Sequence, residues 1–350
     1  MTERTPTPQE QIRFLQQFQR LLDEGSFVAT YKFALLHAIA DLCVAKGDDS
    51  GVRLVLSTED IAERFVALYW TQATPFLHGV EGAVLQQNTG RQAAVVREVL
   101  KRHERYSGSL RNLRYDQVEW ERLLSNVRQI VQKMPLWKLQ TVGDERIDFL
   151  YPNLDRGSEI TLEPGVAFCF RAFYPMITDM VEGAWLNHVR RYNAAVLGPE
   201  SDLRTFLFGR ERASLERFRP VLEDLQGGRC FYCEKAVRSE PHIDHFIPWR
   251  RYPMDLGHNF VLAHSACNEA KGDRLAAEEH LSKWVERNSE MGADLAGRFE
   301  HGGLAHDLGA TSRVARWAYG QVARTQGRVW VVGRELRAIG ETWIEMLRSQ

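Results

Sequence analysis

Two residues separate Cys230 from Cys233, and two separate His264 from Cys267. No other feature of the chain restricts its folding so tightly. A two-residue spacer lets a tight turn bring both side chains to one ion. Two such pairs supply four soft or borderline donors, the closed tetrahedral set of a structural zinc. One CxxC alone reads equally well as a pair of buried thiols. The second pair at matched spacing favours zinc, and it ties the ends of the intervening segment together. The other cysteines are Cys43 and Cys169. The N-terminus "MTERTPTPQEQ" lacks an apolar signal core, so a reducing, cytoplasmic setting is expected and a disulfide framework is not.

Between the pairs runs "HIDHFIPW", residues 242–249. It reads as a strand that carries chemistry into a turn. Asp244 is a hard oxygen donor of the kind Mg²⁺ takes. His245 offers an imidazole that can act as a base near neutral pH. Neighbours on a regular strand point to opposite faces. Service to one site therefore predicts a bulge or turn there, and Pro248 is placed to end the strand. Asn259 follows, then "HSACNEAK", in which Asn268 comes directly after Cys267 and Lys271 lies one helical turn on.

The run "CFYC…HIDHFIPW…HNFVLAHSACNEAKGD" resembles an HNH endonuclease of the ββα-metal superfamily, in the subgroup with a zinc-stapled core. The likeness extends over residues 229–275, and the flanking regions resemble companions of HNH domains in bacterial genome-defence nucleases. The resemblance implies that His245 is the general base and that Asp244 and Asn268 hold a catalytic Mg²⁺ or Mn²⁺. It implies that Asn259 fixes the hairpin loop and orients the base. Cys230, Cys233, His264 and Cys267 fall on the zinc ligands, and His264 stands where many relatives have Cys. Lys271, Arg250 and Arg251 are candidate phosphate contacts; a helix cap (Lys271) and a solvated turn (the arginines) are the plain readings. His242 shares the strand face of Asp244 and reads as a partly buried strand residue. His258 is expected to be exposed in the loop.

The rest of the chain looks helical. Residues 9–24, 31–44, 88–105, 115–134, 174–193 and 203–226, and roughly 311–324 and 331–349, carry helical apolar spacing or composition. Ser57, with Asp60 three residues on, predicts a capped helix start. A helix, the short strand "VRLVL" and that capped helix also suit a winged-helix-like unit, but a plain helical bundle is the better reading. "RIDFLYP", "SEITL" and "VAFCFRAF" read as short strands. The expected fold is mainly α with a small ββα-metal module, α+β overall. The expected division is a helical targeting or regulatory region over 1–200, the nuclease domain over 201–290 and a helical region over 291–350, with the first boundary in "LGPESD" at 197–202.

Hydrophobic residues make up 44% and charged residues 26%, with a net charge of −1, so any nucleic-acid surface must be local. Ten Lys and Arg against five Asp and Glu between Arg91 and Lys133 mark the best such candidate in the N-terminal half. No window reaches the ~18 apolar residues of a membrane span. Three functions stay open. The first is a metal-dependent DNA endonuclease in anti-phage defence or restriction, with partner subunits or a second copy. The second is a toxin-like nuclease acting on RNA. The third is a non-catalytic zinc module binding nucleic acid or protein, which would have no use for Asp244, His245 and Asn268.

Overall fold

The computed structural model describes residues 4–76, 83–89, 92–152, 157–197, 202–209, 215–238, 240–253 and 255–348. They cluster into two compact units, Met1–Arg210 and Glu211–Gln350.

The first unit is a helical bundle. Helix α1 (Pro8–Glu24) starts at a capping box. The Glu10 amide donates to the Thr7 hydroxyl, and the Glu10 carboxylate accepts from the Thr7 amide. Helix α2 (Tyr31–Lys46) is apolar on every side and buried from Lys32 to Ala45, which makes it the centre of the bundle. Strand β1 (Leu54–Ser57) leads straight into α3 (Thr58–Trp70), whose Asp60 amide donates to Ser57 Oγ at 3.0 Å as expected. Helix α3 is packed by α2, by α4 (Ala94–Arg105) and by α6 (Gln117–Lys133), which follows the short α5 (Leu110–Tyr115). So enclosed, α3 presents no open recognition face, and the bundle reading holds over the winged-helix one.

After α7 (Pro135–Lys138) come the two-residue strands β2 (Thr141–Val142) and β3 (Glu145–Arg146). Strand β4 (Glu159–Leu162) pairs antiparallel with β1, Leu54 opposite Leu162. "VAFCFRAF" is not a strand but helix α8 (Val166–Ala172). The buried Arg171 guanidinium donates from Nη1 to the carbonyls of Cys43 (3.2 Å), Val44 (2.9 Å) and Gly47 (2.9 Å). It thereby caps the end of α2, where the Cys43 carbonyl also accepts from the Gly47 amide. Helix α9 (Tyr174–Tyr192) follows, and α10 (Leu203–Phe208) packs on it, so residues 203–208 belong to this unit. Most of the expected boundary at 197–202 lies outside the described residues.

The basic run is largely neutralised. Lys101 and Arg102 meet Glu98, Arg102, Arg105 and Arg122 converge on Glu119, and Arg114 meets Glu63. Arg97, Arg128 and Lys133 have no carboxylate partner among the described residues, and Arg97 and Lys133 line a cleft with Asn126 and Gln129.

The expected helix over 203–226 is not continuous: α10 ends at Phe208, residues 210–214 lie outside the description, and α11 spans Arg219–Gln226. In the second unit β5 (His242–His245) and β6 (Phe260–Ala263) form an antiparallel pair, and α12 (Ser265–Lys271) follows directly. Helix α13 (Glu278–His301) runs through the boundary expected near 290. Its Leu295 and Phe299 pack with Phe218, Leu222, Phe260, Leu262 and Leu304 in one buried cluster. Its Trp284 stacks on Phe246 at 5.0 Å. Helix α14 (Leu308–Arg324) follows. The expected helix over 331–349 is instead a hairpin of β7 (Arg328–Trp330) and β8 (Leu336–Ala338) with the short α15 (Thr342–Met346). No helix among the described residues is long and apolar enough to cross a membrane.

Candidate active site and metal centre

The cysteine pairs meet. The ligand atoms of Cys230, Cys233, His264 and Cys267 all lie within 4.8 Å of one another, and this is the one such group among the described residues. The first pair sits on a turn closed by the Glu234 amide donating to the Cys230 carbonyl at 2.8 Å. That turn docks on β6, where the Phe231 amide donates to the Leu262 carbonyl at 2.8 Å. The second pair opens α12, with His264 just before the helix and Cys267 in its first turn.

The chemistry of this set fits zinc. His264 Nδ1 lies 3.3 Å from Cys233 Sγ, while Nε2 faces the Ala236 carbonyl at 3.3 Å. A carbonyl only accepts, so Nε2 carries the proton and Nδ1 keeps its lone pair on the side of the thiols. This is the outer support that metal-bound histidines receive. Burial opposes a Cys230 thiolate, but the amides of Cys233, His264 and Tyr232 aim at its sulfur and bring the thiol below its ordinary value. Burial and the neighbouring sulfurs of Cys230 and Cys233 push Cys267 up to about 12. A cation among the three sulfurs relieves that repulsion.

Strand β5 runs in unbroken register with β6, Asp244 opposite Val261 and His245 opposite Phe260. There is no bulge; the strand simply ends at His245. Asp244 is buried and held from two sides. The Tyr232 hydroxyl donates to Oδ2 at 2.5 Å, and Lys271 Nζ lies 2.9 Å from the same oxygen. Burial, and then the Asp244 charge, raise the Tyr232 phenol well above its ordinary value, so it stays a donor. Neither Asp244 Oδ1 nor the Asn268 side-chain amide has a hydrogen-bond partner among the described residues. Both are hard oxygen donors, which suits Mg²⁺ or Mn²⁺.

Asn259 clamps the chain just past His245. Its Oδ1 accepts from the Ile247 amide at 2.8 Å and its Nδ2 donates to the Ile247 carbonyl at 2.9 Å. The His245 ring meets Trp249 and Phe260 edge-on, with centroids 5.3 and 4.8 Å away, and its Nε2 lies 2.8 Å from Asp255 Oδ1.

Several expected placements are corrected. Lys271 has no solvent exposure; besides Asp244, its ammonium donates to the His245 carbonyl at 2.9 Å, so it neither reaches a DNA backbone nor caps a helix. His258 is fully buried, not exposed: one ring nitrogen donates to the Gly292 carbonyl at 3.0 Å, and burial lowers its basicity. His242 is exposed. Arg250 is exposed, with Asp273 3.6 Å away, whereas Arg251 is partly buried and its Nε has no partner. Sequence reasoning missed Tyr232 and Asp255. Tyr232 carried a signal, because an aromatic inside "CFYC" must point somewhere once its neighbours turn to a metal. Asp255 carried none.

Residues 230–274 match the family model described as HNH endonuclease. No curated protein and no solved structure matches the chain.

Proposed function

With residues 230–274 forming an HNH endonuclease domain, we propose that the chain is a metal-dependent endonuclease that hydrolyses phosphodiester bonds in DNA. One observation carries this reading above all. A buried carboxylate, Asp244, has one oxygen held by Tyr232 and Lys271 and the other without a partner among the described residues, directly beside a histidine on a clamped hairpin. A zinc module that only binds has no use for that arrangement.

His245 takes a proton from a water, and the water oxygen attacks phosphorus as the 3′-oxygen leaves. Asn259 keeps the turn after His245 fixed, which keeps the base in place. Asp244 and Asn268 are the residues to hold Mg²⁺ or Mn²⁺. Such an ion, when bound, supplies Lewis-acid stabilisation of charge at the scissile phosphate. Arg250 offers an exposed cation just past the catalytic strand for the neighbouring phosphate, and Arg251 lies beside it. One site makes one cut, so a double-strand break takes a second copy or a second visit. None of the five cysteines is disulfide-bonded, which suits a reducing, cytoplasmic setting. A place in anti-phage defence or restriction rests on the resemblance of the flanking regions, with the N-terminal unit supplying targeting or regulation.

The test is cleavage of plasmid DNA, and separately of RNA, by purified protein with Mg²⁺, Mn²⁺ or EDTA. His245→Ala should lower the rate by roughly 10²–10⁴-fold with zinc content intact. Wild-type nicking by His245→Ala would remove the assignment, and cleavage of RNA alone would move it to a ribonuclease.

A further inference from the structure

The contact between His245 and Asp255 has no part in the reading above. Asp255 lies in the loop between β5 and β6, ten residues from the histidine along the chain and 2.8 Å from its Nε2. Its side chain is 19% exposed and that of His245 is 9% exposed. Asp255 pairs with no Lys or Arg among the described residues, so the imidazole is its one ionic partner.

The loop holds Asp255 there by both ends. At one end Asn259 locks Ile247 through two hydrogen bonds. Tyr252 is buried and packs near Trp317. At the other end Gly257 lies so close to Phe299 that a Cβ would sit 2.6 Å from the ring, which only glycine permits. The Gly257 amide donates to the Ala305 carbonyl at 2.9 Å.

We infer that Asp255 is a positioning residue that sets the tautomer and direction of His245; the inference rests on the reading of His245 as the base. A carboxylate only accepts, so Nε2 carries the proton and Nδ1 holds the lone pair. Among the described residues Nδ1 has no hydrogen-bond partner and is not one of the buried unpaired atoms, which leaves it open to solvent. In the reaction Nδ1 takes one proton from the attacking water. The water oxygen bonds to phosphorus, and the 3′-oxygen leaves with its electron pair and takes a proton from solvent. Asp255 exchanges no proton. It keeps the Nε2–H and faces the positive charge that forms on the ring, as the carboxylate of a catalytic triad does. Charged groups on the elements packed around it, among the described residues, include Asp244 beside it on β5, Lys271 from α12 at its carbonyl, and Arg287 from α13, which contacts the Phe260 carbonyl. None of them touches an imidazole nitrogen.

The experiment measures plasmid nicking at saturating Mg²⁺ by the full chain, comparing wild type with Asp255→Ala, Asp255→Asn and His245→Ala. Asp255→Ala should lose about 10–100-fold in kcat with KM for DNA unchanged. Asp255→Asn should lose less, since its amide oxygen still accepts the Nε2–H. Added formate should recover part of the Asp255→Ala rate and none of the His245→Ala rate. Nitrogen-15 NMR, with His245 assigned by its absence in His245→Ala, should show an Nε2–H ring in wild type and a mixture of tautomers in Asp255→Ala. If Asp255→Ala does not fold, the tautomer and the intermediate rate of the isosteric Asp255→Asn carry the test. An Asp255→Ala that cuts like wild type while His245→Ala is dead overturns this inference alone. So does a loss confined to KM or to the Mg²⁺ requirement, or an unchanged tautomer. A wild type that cuts neither DNA nor RNA overturns the nuclease reading and this one with it.

Discussion

An ammonium with no exposure to solvent needs a counter-charge, and Lys271 finds one in Asp244. Removing one member of a buried pair leaves the other charged and unpaired, at a cost of roughly 3–5 kcal/mol. Lys271→Met should therefore lower the unfolding free energy by about that amount. The double variant Lys271→Met/Asp244→Asn should lose less than the two single changes together. Denaturant titrations check both; an unchanged midpoint for Lys271→Met would show that the pair contributes nothing. Arg250 behaves oppositely. Its exposed guanidinium fits a phosphate contact, so Arg250→Ala should reduce the slope of log K for DNA binding against log salt by about one. An unchanged slope would return it to a solvated turn. Spacing identified both cations but not which was buried, because neighbours along a chain say little about burial. The resemblance pointed to Asn259, whose two bonds to Ile247 hold the chain just past His245. It could not identify Asp255, whose partner lies across a loop.

At the scale of elements, the zinc site joins the turn at 230–233 to the start of α12, and each arm carries one hold on Asp244. Tyr232 lies between the two cysteines of the first arm, and Lys271 ends the helix that the second arm begins. A zinc ion held there would therefore do more than close a loop: on the proposed function, it would set the carboxylate that Asp244 offers to the catalytic ion. Cys267→Ser should lose zinc and also raise the Mg²⁺ concentration needed for half-maximal cleavage. A zinc-free variant with an unchanged Mg²⁺ requirement would separate the two sites. Brief EDTA should stop cleavage of wild type before zinc leaves, and Mg²⁺ alone should restore it; recovery that needs Zn²⁺ would contradict the two-site arrangement. The helices were legible where apolar spacing was long, as in α2, α6 and α9. "VAFCFRAF" misled because its aromatic and branched residues suit a strand, yet tertiary packing makes it the helix that brings Arg171 to the end of α2. Residues 331–349 misled similarly, since the strand pairing of Arg328 with Ala338 begins before that window.

At the scale of the molecule, the chain holds two units, each with its own core. The second is larger than the motif that identifies it. The motif ends by Arg274, but the floor of the site is α13, which extends to His301. From that helix Arg287 donates to the Phe260 carbonyl at 2.7 Å and reaches the His258 carbonyl, holding the start of β6. Trp284 stacks under Phe246, and Phe299 fills the space beside Gly257. Further on, Trp330 packs edge-on against Tyr232 at 5.1 Å, and the Tyr319 hydroxyl donates to the Ala276 carbonyl at 2.6 Å. The C-terminal segment thus completes the support of Tyr232, and through it of Asp244. A domain of about 140 residues buries roughly two-thirds of the surface its unfolded chain exposes, enough for independent stability. Two fragments follow from this. Residues 211–350 should fold alone, bind one zinc per chain and unfold in a single cooperative transition. Residues 211–290 contain every motif residue but lack Leu295, Phe299, Tyr319 and Trp330, and should neither unfold cooperatively nor retain zinc at micromolar free metal. Metal analysis and thermal unfolding of the two fragments decide the matter. A shorter fragment as stable as the longer one would make residues 291–350 an accessory to the nuclease fold and not part of it.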